Sequence, residues 1–213
     1  MIHAYDKLYL EKARTALGRM LDFAVYDLNY DLTQFFDLFL QSDISKRFET
    51  GDFTVPAGRS GVELAYDVLE QTKGIAERIR PNYTANRSEE YWTGWALAYY
   101  QWYRALSFAE IVMYIPIKDI RAMYSPYHEM DIRQFTDKID ALYHAAKPET
   151  NLKMFRQRAG LSQRSLAELS GIPVRTIQQY EQRQKNINKA QAEYLLILAR
   201  ILCCKVENLF EMV

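Results

Sequence analysis

The sequence predicts an all-α protein, and three observations carry that reading. Glycine and proline, which punctuate turns and strands, number only 8 and 6 in 213 residues. Long stretches repeat apolar residues at spacings of three and four, the period of a helix buried along one face. Two stretches open on a capping-box pattern, Ser60-Gly61-Val62-Glu63 and Asp131-Ile132-Arg133-Gln134. With 49% hydrophobic residues the chain has the material for a core and is not a disordered composition.

Residues 4–30 read as one long helix, with Leu8, Leu10, Ala13, Leu17, Leu21, Ala24, Val25 and Leu28 along its inner face. Residues 31–48 read as a second, opened by Asp31 as N-cap and ended by Thr50-Gly51-Asp52. A loop punctuated by Pro56 and Gly58 follows. The box at Ser60 predicts a helix to about Thr72, stopped or kinked at Lys73-Gly74, and Pro81 ends what comes after. Ser88-Glu89-Glu90 opens the most apolar stretch, YWTGWALAYYQWYRALSFAEIVMY, which runs to Pro116. Its aromatic residues cover nearly every face, so it belongs at the centre of its domain or between subunits. Its tryptophans and tyrosines also suit a ligand or partner pocket. Asp131 opens a last N-terminal helix to Ala146. Lys147-Pro148-Glu149-Thr150 reads as a linker, which gives two domains, residues 1–146 and 151–213.

Charge divides the chain in the same place. Residues 151–213 hold 10 Lys and Arg against 5 Asp and Glu, a net +5, and residues 1–150 carry the compensating −5. A basic part beside an acidic one suggests that the basic part meets a polyanion. No apolar run is long enough to cross a membrane, and the N-terminus has no signal-like apolar core, so a cytoplasmic location is expected. Asn86-Arg87-Ser88 fits a glycosylation pattern, which has no meaning without secretion. Adjacent Cys203 and Cys204 suit neither a disulfide nor a zinc site, and one buried and one half-exposed thiol are expected. His3, His128 and His144 lack metal-ligand spacing. No P-loop, GxGxxG, GxSxG or HExxH pattern is present, so neither an enzyme nor any metal or cofactor is expected.

The stretch LSQRSLAELSGIPVRTIQQYE, Leu161–Glu181, is the informative one. A short amphipathic helix precedes it, with Leu152, Phe155 and Ala159 on one face and Gly160 as C-cap. Ser162 is an N-cap for a helix from Gln163 to Ser170, whose inner face is Leu166, Ala167 and Leu169–Ser170. Gly171 supplies the left-handed residue after the last turn. Pro173 starts the next helix, where its missing amide costs nothing. Ile177 and Tyr180 face the core, and Ala167 is small enough for two helices to cross closely. This is helix-turn-helix geometry: the second helix stands clear of the body, and its polar outer face suits a DNA major groove.

Residues 152–210 resemble the helix-turn-helix family of phage repressors and Cro proteins, the xenobiotic-response-element type. Ala167, Gly171, Ile177 and Tyr180-Glu181 carry the likeness. So does the closing pattern AEYLLILARILCCKVENLF, with Leu195, Leu198, Ala199, Leu202, Val206, Leu209 and Phe210 as core. The resemblance implies a five-helix, lambda-repressor-like domain that binds double-stranded DNA. It implies that Val174, Arg175, Gln178 and Gln179 form the base-reading face of the helix 173–182, with Arg175 and Gln179 the strongest candidates. Gln163, Thr176, Arg183, Lys185, Asn188 and Lys189 would meet phosphates. Family members often have a polar reader where this chain has Val174.

Half-sites in such systems are read by dimers, so a homodimer is expected, joined through Leu209–Val213 or through the aromatic helix of the N-terminal domain. The expected function is a transcriptional repressor whose residues 1–146 dimerise or sense a small ligand. An antitoxin, with residues 1–146 holding a toxin, fits the same architecture.

Overall fold

The structure, a computed structural model, describes residues 3–55, 58–74, 78–82 and 87–211. Pro56, Asn86 and the last two residues of the expected Leu209–Val213 contact lie outside them. Among the described residues there are α-helices and short 3-10 turns and no strand, so the all-α expectation holds. No helix among them is long and apolar enough to cross a membrane. The chain divides into two compact units, residues 1–146 and 147–213.

The N-terminal unit holds α1 (Leu10–Tyr26), α2 (Leu32–Gln41), α3 (Asp43–Glu49), α4 (Gly61–Lys73), α5 (Glu89–Arg104), α6 (Phe108–Tyr114), α7 (Ile117–Ala122), α8 (Tyr124–Tyr127) and α9 (Ile132–Ala146). Helix α1 is the axis, packed along α5 and across α4. Glycines make both approaches possible. A Cβ on Gly94 would lie 2.5 Å from the Leu17 carbonyl, one on Gly18 2.7 Å from the Tyr91 carbonyl, and one on Gly61 2.5 Å from the Ala16 carbonyl. Backbone therefore meets backbone, and no side chain fits between. The aromatic helix is central, as its composition suggests: Tyr91, Trp92, Tyr100 and Trp102 are buried.

Local signals fix most helix starts. Asp31 caps α2 by accepting the Thr33 and Gln34 N–H groups. Ser60 and Glu63 form the reciprocal capping box of α4, and Gly74 ends that helix in the left-handed region. Ser88 caps α5. At Asp131 the carboxylate takes the Arg133 N–H at 2.8 Å.

Three expected continuous segments are shorter than expected. The first begins as a 3-10 turn, Lys7–Tyr9, capped by Asp6, so Leu8 falls outside the helical stripe and is 83% exposed. It ends at Tyr26, where Asn29 takes a left-handed conformation and Tyr30 N–H reaches back to Ala24 O. The segment 31–48 breaks at Ser42, which turns extended and spends its hydroxyl on Phe39 O. The aromatic stretch breaks at Ala105, φ 51°. There Gln101 donates its side-chain amide to Leu106 O and Glu49 O, and the Glu49 carboxylate takes the Phe108 N–H. Phe108 thereby inserts edge-on against Phe36, Phe39 and Phe48.

The C-terminal unit holds α10 (Asn151–Arg158), α11 (Gln163–Ser170), α12 (Val174–Glu181) and α13 (Ala192–Ile201), with 3-10 turns at Ile187–Lys189 and Val206–Leu209. The fifth helix of the expected fold is thus a single 3-10 turn. Thr150, read as linker, caps α10. Leu152, Leu166, Ile177, Leu198 and Leu209 form the fully buried centre of its core. Leu209 is wholly enclosed in its own unit, which removes it from the expected dimer contact. The core assignment of Leu209 holds, while three in this unit fail: Ala159 is exposed, Leu169 is 61% exposed and Phe210 is 37% exposed. Leu169 lies outside the arc of Leu166, Ala167 and Ser170 on α11, and Phe210 follows the last turn in extended backbone. Cys203 is exposed and Cys204 half-buried, where one buried thiol was expected.

Ala105 is exposed and carries a left-handed backbone at a cost of about 1 kcal/mol for a residue with a Cβ. Ala105→Gly is expected to stabilise the protein by roughly 0.5–1 kcal/mol. Urea unfolding checks this; a destabilised variant would show that the turn is held without strain.

Candidate nucleic-acid interface

The turn between α11 and α12 follows from four residues. Ser162 starts α11 by accepting the Ser165 N–H. Gly171 ends it at φ 71°, its N–H bonded to Ala167 O. Ser170 Oγ takes the Ile172 N–H, and Ile172 is buried. Pro173 stands at the N-cap of α12, extended rather than helical, and its carbonyl takes the Thr176 and Ile177 N–H groups.

Helix α12 then divides by face. Ile177, Tyr180 and Glu181 are buried; Val174 and Arg175 are exposed; Thr176, Gln178 and Gln179 are half-buried. The exposed N-terminal turn is the part of a recognition helix that reaches base edges.

A buried ion pair holds that face in place. Arg156 of α10 is only 8% exposed and donates through Nε and Nη2 to both oxygens of Glu181, at 2.6 and 3.0 Å. Its Nη1 donates to Leu161 O at 2.7 Å. Gln163, at the start of α11, donates its amide to Glu181 Oε2 at 2.7 Å. The Glu181 bond holds the Arg156 guanidinium above its usual pKa. One carboxylate on α12 therefore ties together α10, α11 and the turn between them. Sequence reasoning missed Arg156, although a signal exists: it lies four residues after Leu152, on the inner face of α10.

The predicted residues fall into two groups. Arg175, Lys185 and Lys189 are exposed and, among the described residues, have no carboxylate partner. Gln163 instead spends one amide N–H on Glu181, and its carbonyl accepts from Gln178 at 3.4 Å. Arg183 follows α12 with a left-handed backbone, φ 55°, and donates to Glu211 at 2.8 Å. Asn188 makes two hydrogen bonds with the Glu211 main chain. Arg183 and Asn188, both expected to meet phosphates, are thus engaged within the protein.

Removing one partner of the buried pair strands the other. Arg156→Ala is expected to cost about 3–5 kcal/mol. That approaches the whole stability of a domain this size, roughly 3–9 kcal/mol. Arg156→Met with Glu181→Leu should recover most of the loss, because no buried charge remains. Urea unfolding of the three proteins measures both effects. A small loss in the single variant would mean that water reaches Glu181.

Residues 152–204 match the family model described as helix-turn-helix, of the Cro/C1 type. The N-terminal region has no family match. No curated protein and no solved structure matches the chain. The match spans α10 to α13 and contains the turn and the ion pair described above. The C-terminal unit therefore carries a DNA-binding helix-turn-helix domain of the Cro/C1 type.

Proposed function

We propose that the protein is a sequence-specific transcriptional repressor that acts as a homodimer and reads the major groove with the helix 173–182. The observation that carries this reading is the solvent face of α12, fixed from beneath by Arg156 and Glu181. Val174 and Arg175 lead that face. Arg175 suits guanine O6 and N7, Gln179 suits adenine N6 and N7, and Val174 suits a thymine methyl. Gln178 supports Gln163, which takes a phosphate with its remaining amide hydrogen. Thr176, Lys185 and Lys189 bind phosphates. Residues 1–146 do no chemistry in this reading.

Fluorescence anisotropy with DNA from upstream of the protein's own gene, against scrambled DNA over a salt series, tests it. Arg175→Ala should lose about 1–3 kcal/mol and relax preference at one base position. Lys185→Ala or Lys189→Ala should weaken both DNAs alike and reduce the salt slope by about 0.9 per lost phosphate. Equal, weak binding to both DNAs by the wild type would sink sequence-specific reading.

We take a small ligand as the partner of the N-terminal unit, and a cleft there gives it room. The cleft measures about 230 Å³ and is lined by Arg87, Ser88, Tyr91, Trp92, Trp95, Tyr124 and His128. Arg87 lies over Tyr91 at 4.7 Å, and His128 stacks on Tyr124 at 4.0 Å. Aromatic walls with a guanidinium and an imidazole suit a small aromatic anion. Two of the three tryptophans line the cleft, so titration with salicylate or indole-3-acetate should quench intrinsic fluorescence and shift DNA affinity. A flat titration across such compounds would remove this reading.

A further inference from the structure

The segment from Gln182 to Ala190 leaves the recognition helix and carries Lys185 and Lys189. One buried apolar side chain, Ile187, ties it to the core. The long-range polar anchoring converges on Glu211. Its Oε2 takes Arg183 Nη2 at 2.8 Å, where the segment begins. Its main chain meets Asn188 reciprocally. The Glu211 N–H donates to Asn188 Oδ1 at 2.9 Å, and the Glu211 carbonyl accepts Asn188 Nδ2 at 2.7 Å. Its Oε1 takes the Asn151 N–H at 2.7 Å, the first residue of α10, and Asn151 Nδ2 donates to Phe210 O at 2.6 Å.

One residue thus fastens both ends of the segment and joins them to a helix start. The Arg183–Glu211 pair is mostly shielded, with side chains 28% and 20% exposed, so water weakens it less than a surface pair. Arg183 also holds a left-handed backbone that costs free energy in a residue with a Cβ. The ion pair offsets that cost.

We propose that Glu211 is a positioning residue for DNA-backbone binding. It acts through Arg183 and Asn188 to hold in place the segment that carries Lys185 and Lys189. The inference rests on the DNA-binding reading above, and it makes Arg183 an anchor rather than a phosphate contact. A segment without this clasp would have to be ordered each time DNA binds, and affinity would fall on every sequence.

The test uses the full chain and the same two DNAs. Glu211→Gln keeps the side chain's shape and an oxygen for Asn151 but removes the charge facing Arg183. Glu211→Gln and Arg183→Gln should each weaken binding to both DNAs, roughly three- to tenfold as for a coupled side-chain pair. The double variant should be no weaker than the worse single. Amide exchange over residues 183–189 should quicken in all three. Asn188→Ala leaves the ion pair intact and should weaken binding in the same direction while quickening amide exchange over residues 183–189; should Glu211→Gln fail to fold, weaker binding with unchanged exchange in Asn188→Ala overturns the proposal. Tighter binding by Glu211→Gln would overturn the proposal, because Glu211 would then be competing with phosphate for Arg183. Additive losses in the double variant would also overturn it, since Arg183 would be touching DNA directly. Wild-type binding that Glu211→Gln leaves unchanged sinks this inference alone. A wild type that binds neither DNA sinks the DNA-binding reading and this inference together.

Discussion

The C-terminal unit depends on one buried carboxylate. Its helices α10, α11 and α12 are eight residues each, too short to persist alone in water. Their mutual angles must come from tertiary contacts. Apolar contacts among Leu152, Leu166 and Ile177 supply attraction but little direction. The two parallel bonds from Arg156 to Glu181 supply direction, because a guanidinium and a carboxylate meet in one plane. Gln163 and the Leu161 carbonyl complete the set. Such a pair adds little net stability over a well-packed apolar substitute. Its effect is on geometry: it fixes how α12 is rotated on the core, and so which of its side chains face solvent.

The N-terminal unit meets a similar demand with the opposite chemistry. Gly18, Gly61 and Gly94 let α4 and α5 touch the backbone of α1. Contact at that distance is sterically unforgiving, so the glycines fix where the helices cross, and buried Arg14 of α1 stacks on Trp95 of α5 beside them. Polar ties add to this: Ser88 at the start of α5 donates to Asp22 of α1, and Tyr100 and Arg104 of α5 both bond to Asp140 of α9. Aromatic side chains fill the remaining volume. Phe108 is the clearest case, since the break at Ala105 is what delivers it to the phenylalanines of α2 and α3.

The two units also divide the charge. The excess of cations lies in the C-terminal unit, yet its members are not equivalent. Arg156 is buried on Glu181 and Arg183 is held by Glu211, while Arg175, Lys185 and Lys189 face solvent. A formal count overstates the cations offered to a polyanion, because some of them build the surface that presents the others.

Sequence by itself determined whatever is encoded within a few residues. The caps at Asp31, Ser60, Ser88 and Ser162, the left-handed Gly74 and Gly171, and the three-and-four periodicity each act over one helical turn. With Ala167, Ile177 and Tyr180 they were enough to read an all-α chain and a helix-turn-helix. What only tertiary structure decided depends on partners far away in the chain. Ser42 and Ala105 break helices where no glycine or proline warns of it, and at Ala105 the break is held by Glu49 and Gln101. Leu8, Leu169 and Phe210 have core chemistry but lie off the buried arcs. The reverse holds for Arg156, a charge that is buried because Glu181, 25 residues on, satisfies it. A carboxylate's partner cannot be read from its neighbours in sequence, so the roles of Glu181 and Glu211 became visible only once the chain had folded.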